Sequence, residues 1–190
     1  MDRFFKNNKG LSYVEVMIVV AIISLMTGFA TISIGAAYRN NTARLADQLY
    51  SIFYTARSNA MTNGTKQGYV TFVNKDETIY YYIGEKVDYS DSGYFNKYNW
   101  NKFCGSSIEF GTGNGIYKLT NGNVLVFSFD QATGRYISCY QFYKASNLEY
   151  ITTDWDVMVY VQTSRHTNKE TLQLDHVTGK IVRGGVTLYY

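Results

Sequence analysis

"GLSYVEVMIVVAIISLM" occupies residues 10 to 26. It opens on a glycine, carries one acid at Glu15, and is then apolar apart from Ser24. An ionised carboxylate in such surroundings is costly unless something compensates it. The run continues past Met26: from Val16 to Ala37 there are 22 consecutive uncharged, mostly apolar residues. About 20 such residues are needed for a helix to cross a bilayer. Ahead of the run, "MDRFFKNNKG" is short and basic, a flank that holds an N-terminus in the cytoplasm and leaves the remainder outside. The apolar stretch exceeds the roughly 7–15 residues of a secretory signal core.

Beyond Ala37 the helical pattern changes character without a break. Leu45, Leu49, Ile52, Phe53, Ala56 and Ala60 share one helical face, and Arg44, Asp47 and Arg57 lie mainly off it. Asn63-Gly64 is a stop signal. One helix is expected from about Ser12 to about Met61, roughly 75 Å long. Its first half is apolar all round and its second half is amphipathic.

After Gly64 the period falls to two. "GYVTFVN" and "TIYYYIG" flank the polar turn "KDE", a hairpin pattern. Residues 84–115 read as a long loop rich in Tyr, Phe and Trp. Strands resume with "VLVFSFD", "RYISCYQFY", "DVMVYVQT", "ETLQLD" and "KIVRG". "DQATGRY" and "DHVTGKI" are the same turn solution used twice. The expected fold class is therefore α+β: a long N-terminal α-helix, transmembrane in its N-terminal half, packed against an antiparallel β-rich globular head.

Composition agrees with a folded head. The 190 residues include 19 Tyr, 11 Phe, 2 Trp and no proline, and 17% are charged. Aromatic and β-branched residues of this abundance bury enough surface to fold. The net charge is +3. Residues 1–10 hold Arg3, Lys6 and Lys9 against Asp2, leaving the rest near neutrality at about +1. No basic stripe argues for nucleic acid as a partner of the head. Cys104 and Cys139 fit no metal spacing; they admit either one disulfide in an exported head or two small buried apolar side chains. His166 and His176 lack the context of a metalloprotease or a triad. "TGK" at 178–180 lacks the rest of a phosphate-binding loop. Asp88 and Asp91, or Asp154 and Asp156, fall short of a calcium loop and read as solvated acids. No catalytic residue, metal or cofactor is expected. The aromatic 89–103 stretch reads as a buried satellite cluster, against the alternative of a binding surface for glycan, DNA or a partner.

The basic leader ending in Gly10, the glutamate five residues later at Glu15, the apolar helix and the β-rich head together resemble the type IV pilin and type II secretion pseudopilin family. "LADQLYSIFYTARSNAMTNGTKQGYVTF", with Ala56-Arg57-Ser58-Asn59-Ala60, and the closing "LQLDHVTGKIV" are most similar to H-type minor pseudopilins. The resemblance implies a leader 1–10, a transmembrane and filament-core helix 11–38, and a head 39–190 made of amphipathic helix 39–62 and β-rich 65–190. It implies cleavage by prepilin peptidase between Gly10 and Leu11, N-methylation of Leu11, and an assembly role for Glu15. It also implies the other partners: further pilin or pseudopilin subunits, an inner-membrane assembly platform and membrane lipid. The implied site is the cytoplasmic membrane, single-pass with the N-terminus cytoplasmic and the head outside, then the cell surface or filament after assembly. The implied function is structural, in a pilus, secretion or DNA-uptake filament; the alternative is a tip-located adhesin or ligand-binding module. The chain departs from the family in starting its mature part Leu11-Ser12-Tyr13 rather than Phe-Thr-Leu, and in lacking the kinking proline of many major pilins.

Physically, cutting after Gly10 creates an α-amine on Leu11. That cation and Glu15 would each offset the other's desolvation, within one subunit or between neighbours. Glu15 also sits in the first helical turn, where the helix dipole favours an acid.

Overall fold

A computed structural model describes residues 12–89, 93–104, 107–112, 115–143, 147–152, 157–162 and 169–184. The chain forms two compact units, Met1–Arg39 and Asn40–Tyr190. One helix, α1 (Tyr13–Asn63), contributes residues to both.

In the first unit Ser12 precedes the first helical residue of α1 and caps it. The Ser12 backbone N–H donates to Glu15 Oε2 at 2.8 Å, and the Val16 N–H donates to the Ser12 carbonyl at 3.2 Å. Ser-x-x-Glu at a helix start is the capping-box spacing, in which the glutamate satisfies an otherwise orphaned donor. The polar side chains further along bond back into the helix: Ser24 Oγ donates to the Val20 carbonyl and Thr27 Oγ1 to the Ile23 carbonyl, at 2.8 and 2.7 Å. Around them the large apolar side chains from Tyr13 to Met26 are exposed, at 44% for Val16 to 77% for Tyr13.

The expected fold class needs correction here. Among the described residues, no helix is long and apolar enough to cross a membrane. The N-terminal half of α1 carries the polar side chains Glu15, Ser24 and Thr27 within the apolar run.

The second unit is built on the remaining stretch of α1. Leu45, Leu49, Ile52, Phe53, Ala56 and Ala60 are all buried. They turn one face to the core because their spacing follows 3.6 residues per turn. Phe53 is central, meeting Phe72, Phe127 and Phe129 edge-to-face at ring separations of 6.0, 4.9 and 6.3 Å.

Among the described residues, eleven strands form two antiparallel sheets. β1 (Tyr69–Lys75), β2 (Thr78–Gly84), β3 (Asn101–Cys104), β6 (Val124–Phe129), β7 (Tyr136–Tyr143) and β8 (Asn147–Thr152) form the first, in the order β3-β2-β1-β6-β7-β8. β4 (Ser107–Thr112), β5 (Gly115–Lys118), β9 (Val157–Gln162), β10 (Lys169–Leu174) and β11 (Ile181–Arg183) form the second, in the order β11-β10-β9-β4-β5. A short helix α2 (Tyr94–Lys97) precedes β3. Ile108, Val159, Leu172, Leu174 and Ile181 of the second sheet join the same core as α1 and the first sheet.

Strand β6 is buried along its whole length. Leu125, Phe127 and Phe129 belong to the core with α1, while Val124 and Val126 belong to a second cluster. Alternation across the pleat puts these two sets on opposite faces. Residues 84–115, expected to be a loop, contain α2, β3 and β4. These strands are short, and β4 pairs with β9 about fifty residues away, so local sequence carried little signal of them.

Of the two alternatives for Cys104 and Cys139, the disulfide is not formed. Cys139 is a free, buried thiol. Cys104 ends β3 and Cys139 lies in β7, with β2, β1 and β6 between them. Four inter-strand steps of about 4.8 Å give roughly 19 Å, far beyond the reach of a disulfide.

Candidate functional site

Gly10 and Leu11, the expected processing residues, lie outside the described residues, and so do Asp91, Asp154, Asp156 and His166. Glu15 is described, and its carboxylate serves its own helix start through Ser12. The apolar surface that follows Glu15 is the first candidate for function. Eleven large side chains there are exposed, from Tyr13 to Met26. A contiguous apolar surface of this kind marks an interaction site.

The aromatic stretch is the second candidate, and its geometry argues for packing. Val87, Tyr89, Tyr94, Phe95, Tyr98 and Trp100 lie over Val73, Val124 and Val126, on the face of the first sheet opposite α1. Phe95 stacks on Trp100 at 5.3 Å with an interplanar angle of 3°, and its ring also carries the Lys75 ammonium at 4.1 Å. Tyr80 meets Phe95 edge-on at 5.3 Å. Trp100, Lys75 and Tyr80 thus all engage Phe95 within the chain. Tyr89 Oη donates to Thr71 Oγ1 at 3.3 Å, tying the stretch to β1. Burial raises the Tyr94 phenol above its ordinary range. The indole Nε1 of Trp100 is buried without a hydrogen-bond partner.

The twin turns form a third feature. In Asp130–Arg135 the Asp130 carboxylate accepts from the Thr133 N–H at 3.1 Å and from its hydroxyl at 2.7 Å. The Thr133 hydroxyl holds the Asp130 carboxyl below its usual range, against a smaller opposing effect of desolvation. In Asp175–Lys180 the Asp175 carboxylate accepts from Val177 and Thr178 N–H groups at 2.8 and 2.9 Å. The two turns touch. A Cβ on Gly179 would collide with the Gly134 carbonyl oxygen and come within 2.9 Å of the Arg135 Cα; a Cβ on Gly134 would meet Met61 Sδ and Arg57 Nε at 2.7 and 2.8 Å. Both glycines also have positive φ, at 63° and 67°. So each turn needs glycine for its backbone and for close approach, and the pair clips the first sheet to the second beside α1. Arg57 Nε is buried here without a hydrogen-bond partner. In the sequence Arg57 stood out as a charge off the apolar face and as part of the Ala56–Ala60 stretch of the resemblance, not as a buried cation.

Burial raises the Cys139 thiol well above its ordinary range, against the opposing effect of its hydrogen bond with Tyr136. The Tyr136 phenol is also raised, by burial first and by Cys139 second. Such a thiol is a packing group rather than a nucleophile. Among the described residues, no group of three or more His, Cys, Asp or Glu could hold a metal ion. No protein-family model matches the chain, and neither a curated protein nor a solved structure matches it.

Proposed function

We propose that this chain is a pilin-like structural subunit, of minor-pilin or pseudopilin type, that assembles with like subunits through its N-terminal helical region. On this reading prepilin peptidase cuts between Gly10 and Leu11 and methylates Leu11, an assembly platform adds the subunit to a filament, and the head is carried outside the cell. The observation that carries the reading is the apolar α1 surface from Tyr13 to Met26, beginning three residues after Gly10 and bearing the single acid Glu15 five residues after it. In water that surface is unfavourable. Like helices from neighbouring copies would cover it. The adhesin or ligand-binding alternative draws less support, because the rings it would use are engaged with one another and with Lys75.

Mass spectrometry of the chain co-expressed with a prepilin peptidase tests the reading. The expected result is loss of residues 1–10, a methylated Leu11, and no processing of Gly10→Val. A full-length chain under those conditions would overturn it.

A further inference from the structure

The head carries two unpaired charge features at opposite ends of β1. At one end, α1 presents Arg57 under the docked turns. Its Nε is buried, its guanidinium lies against Gly134, and it makes no hydrogen bond or ion pair among the described residues. Arg135 and Lys180, both exposed, follow the two touching glycines. Asp130 and Asp175, on the same two turns, accept hydrogen bonds from their own turns, and neither forms an ion pair with Arg57. A partly buried guanidinium without an anion forgoes the charge-assisted, bidentate contact it is shaped for.

At the other end is the tip of the β1–β2 hairpin, Asp76-Glu77. Both are exposed, and neither makes an ion pair among the described residues. Asn121 Oδ1 accepts from the Asp76 N–H at 3.2 Å and steadies the tip. The register fixes the polarity. Tyr69 pairs with Ser128, next to the Asp130 turn, whereas Lys75 pairs with Thr78 at the tip. The seven residues of β1 separate the two features by about 23 Å.

We infer that the cationic notch of Arg57, Arg135 and Lys180 receives the Asp76-Glu77 hairpin tip of a second copy of this chain. The contact is heterologous: one copy offers its tip and the next its notch. Contacts of that kind propagate into an open array rather than closing a dimer. The inference rests on the filament reading and names a head-to-head contact within it.

The test uses the full-length chain, assembled in cells with its processing machinery, in a Cys104→Ser background. Glu77→Cys with Arg135→Cys reports the tip-to-notch contact; Met17→Cys reports helix assembly. Oxidation is expected to yield a ladder of multimers from the 77/135 pair. Arg57→Glu, added to that pair, is expected to lower the ladder about tenfold, since like charges across a contact cost at least about 1.4 kcal/mol. Adding Asp76→Lys is expected to restore it. Arg57→Glu also gauges folding: its monomer should give the same unfolding midpoint as the parent to within a few degrees. Multimers through Met17→Cys without any through 77/135 would overturn the contact and leave the filament reading standing. No multimers through either would overturn both. A 77/135 ladder unchanged by Arg57→Glu would mean that the notch holds no tip, and would also overturn the contact.

Discussion

At the scale of single residues, Glu15 has two roles that one substitution pair separates. Its carboxylate caps α1 through the Ser12 N–H. Glutamine in a capping box keeps that acceptor but removes the charge. If the charge serves assembly, Glu15→Gln should leave the helix signal in circular dichroism intact and incorporate as poorly as Glu15→Ala. Wild-type incorporation of Glu15→Gln would restrict the residue to capping. Asp130 makes a second point. The Thr133 hydroxyl lowers its folded pKa, so its contribution to stability is present above the ordinary carboxyl range and is lost as pH falls through the lowered value. Asp130→Asn should therefore flatten the acid limb of a stability–pH curve below about pH 5. That limb is read from urea midpoints; an unchanged slope would contradict the assignment. Both residues could be singled out in the sequence by spacing, Glu15 from Gly10 and Asp130 from Thr133-Gly134. What their side chains bond to could not.

At the scale of elements, the β1–β2 hairpin turns through Asp76 and Glu77 with φ of 51° and 60°. Two left-handed positions in a two-residue loop describe a type I′ turn, for which Asn-Gly is the favoured pair. Replacing Asp76-Glu77 by Asn-Gly should stabilise the head by about 0.5–1 kcal/mol in denaturant unfolding, because the strain of non-glycine side chains at positive φ is relieved. The same change removes both charges of the tip, so more stable heads should form fewer tip-to-notch cross-links. The hairpin itself was readable from "YVTFVN" and "TIYYYIG", since β-branched and aromatic residues bracket three polar ones. β3, β4, β5 and β8 were not. They are four to six residues long, and β4 owes part of its pairing to β9, about fifty residues away. Propensity is weak where cross-strand packing supplies the stability.

At the scale of the molecule, the head holds one principal core and one satellite. Phe53 joins α1 to β1 and β6 in the first, so Phe53→Ala should cost about 3–5 kcal/mol by thermal or chemical unfolding. Trp100 anchors the second against Phe95, Tyr82, Tyr94 and Tyr98. Trp100→Ala should accordingly lower the stability of the head; a variant as stable as the parent would return the aromatic stretch to the list of binding surfaces. By itself the sequence determined what depends on local spacing: the buried face of α1 within the head, the antiparallel hairpins, the two Asp-x-x-Thr-Gly turns, and the Gly10–Glu15 spacing on which the pilin resemblance rests. Periods of 3.6 and 2 and the demands of turns are written residue by residue. The tertiary structure decided what depends on distant residues meeting. It distributed the strands between two sheets, set three strands between Cys104 and Cys139, brought Gly179 against Gly134 over Arg57, and put the acidic tip and the cationic notch at opposite ends of β1. It also corrected the membrane-crossing half of α1, since no helix among the described residues is long and apolar enough to cross a membrane.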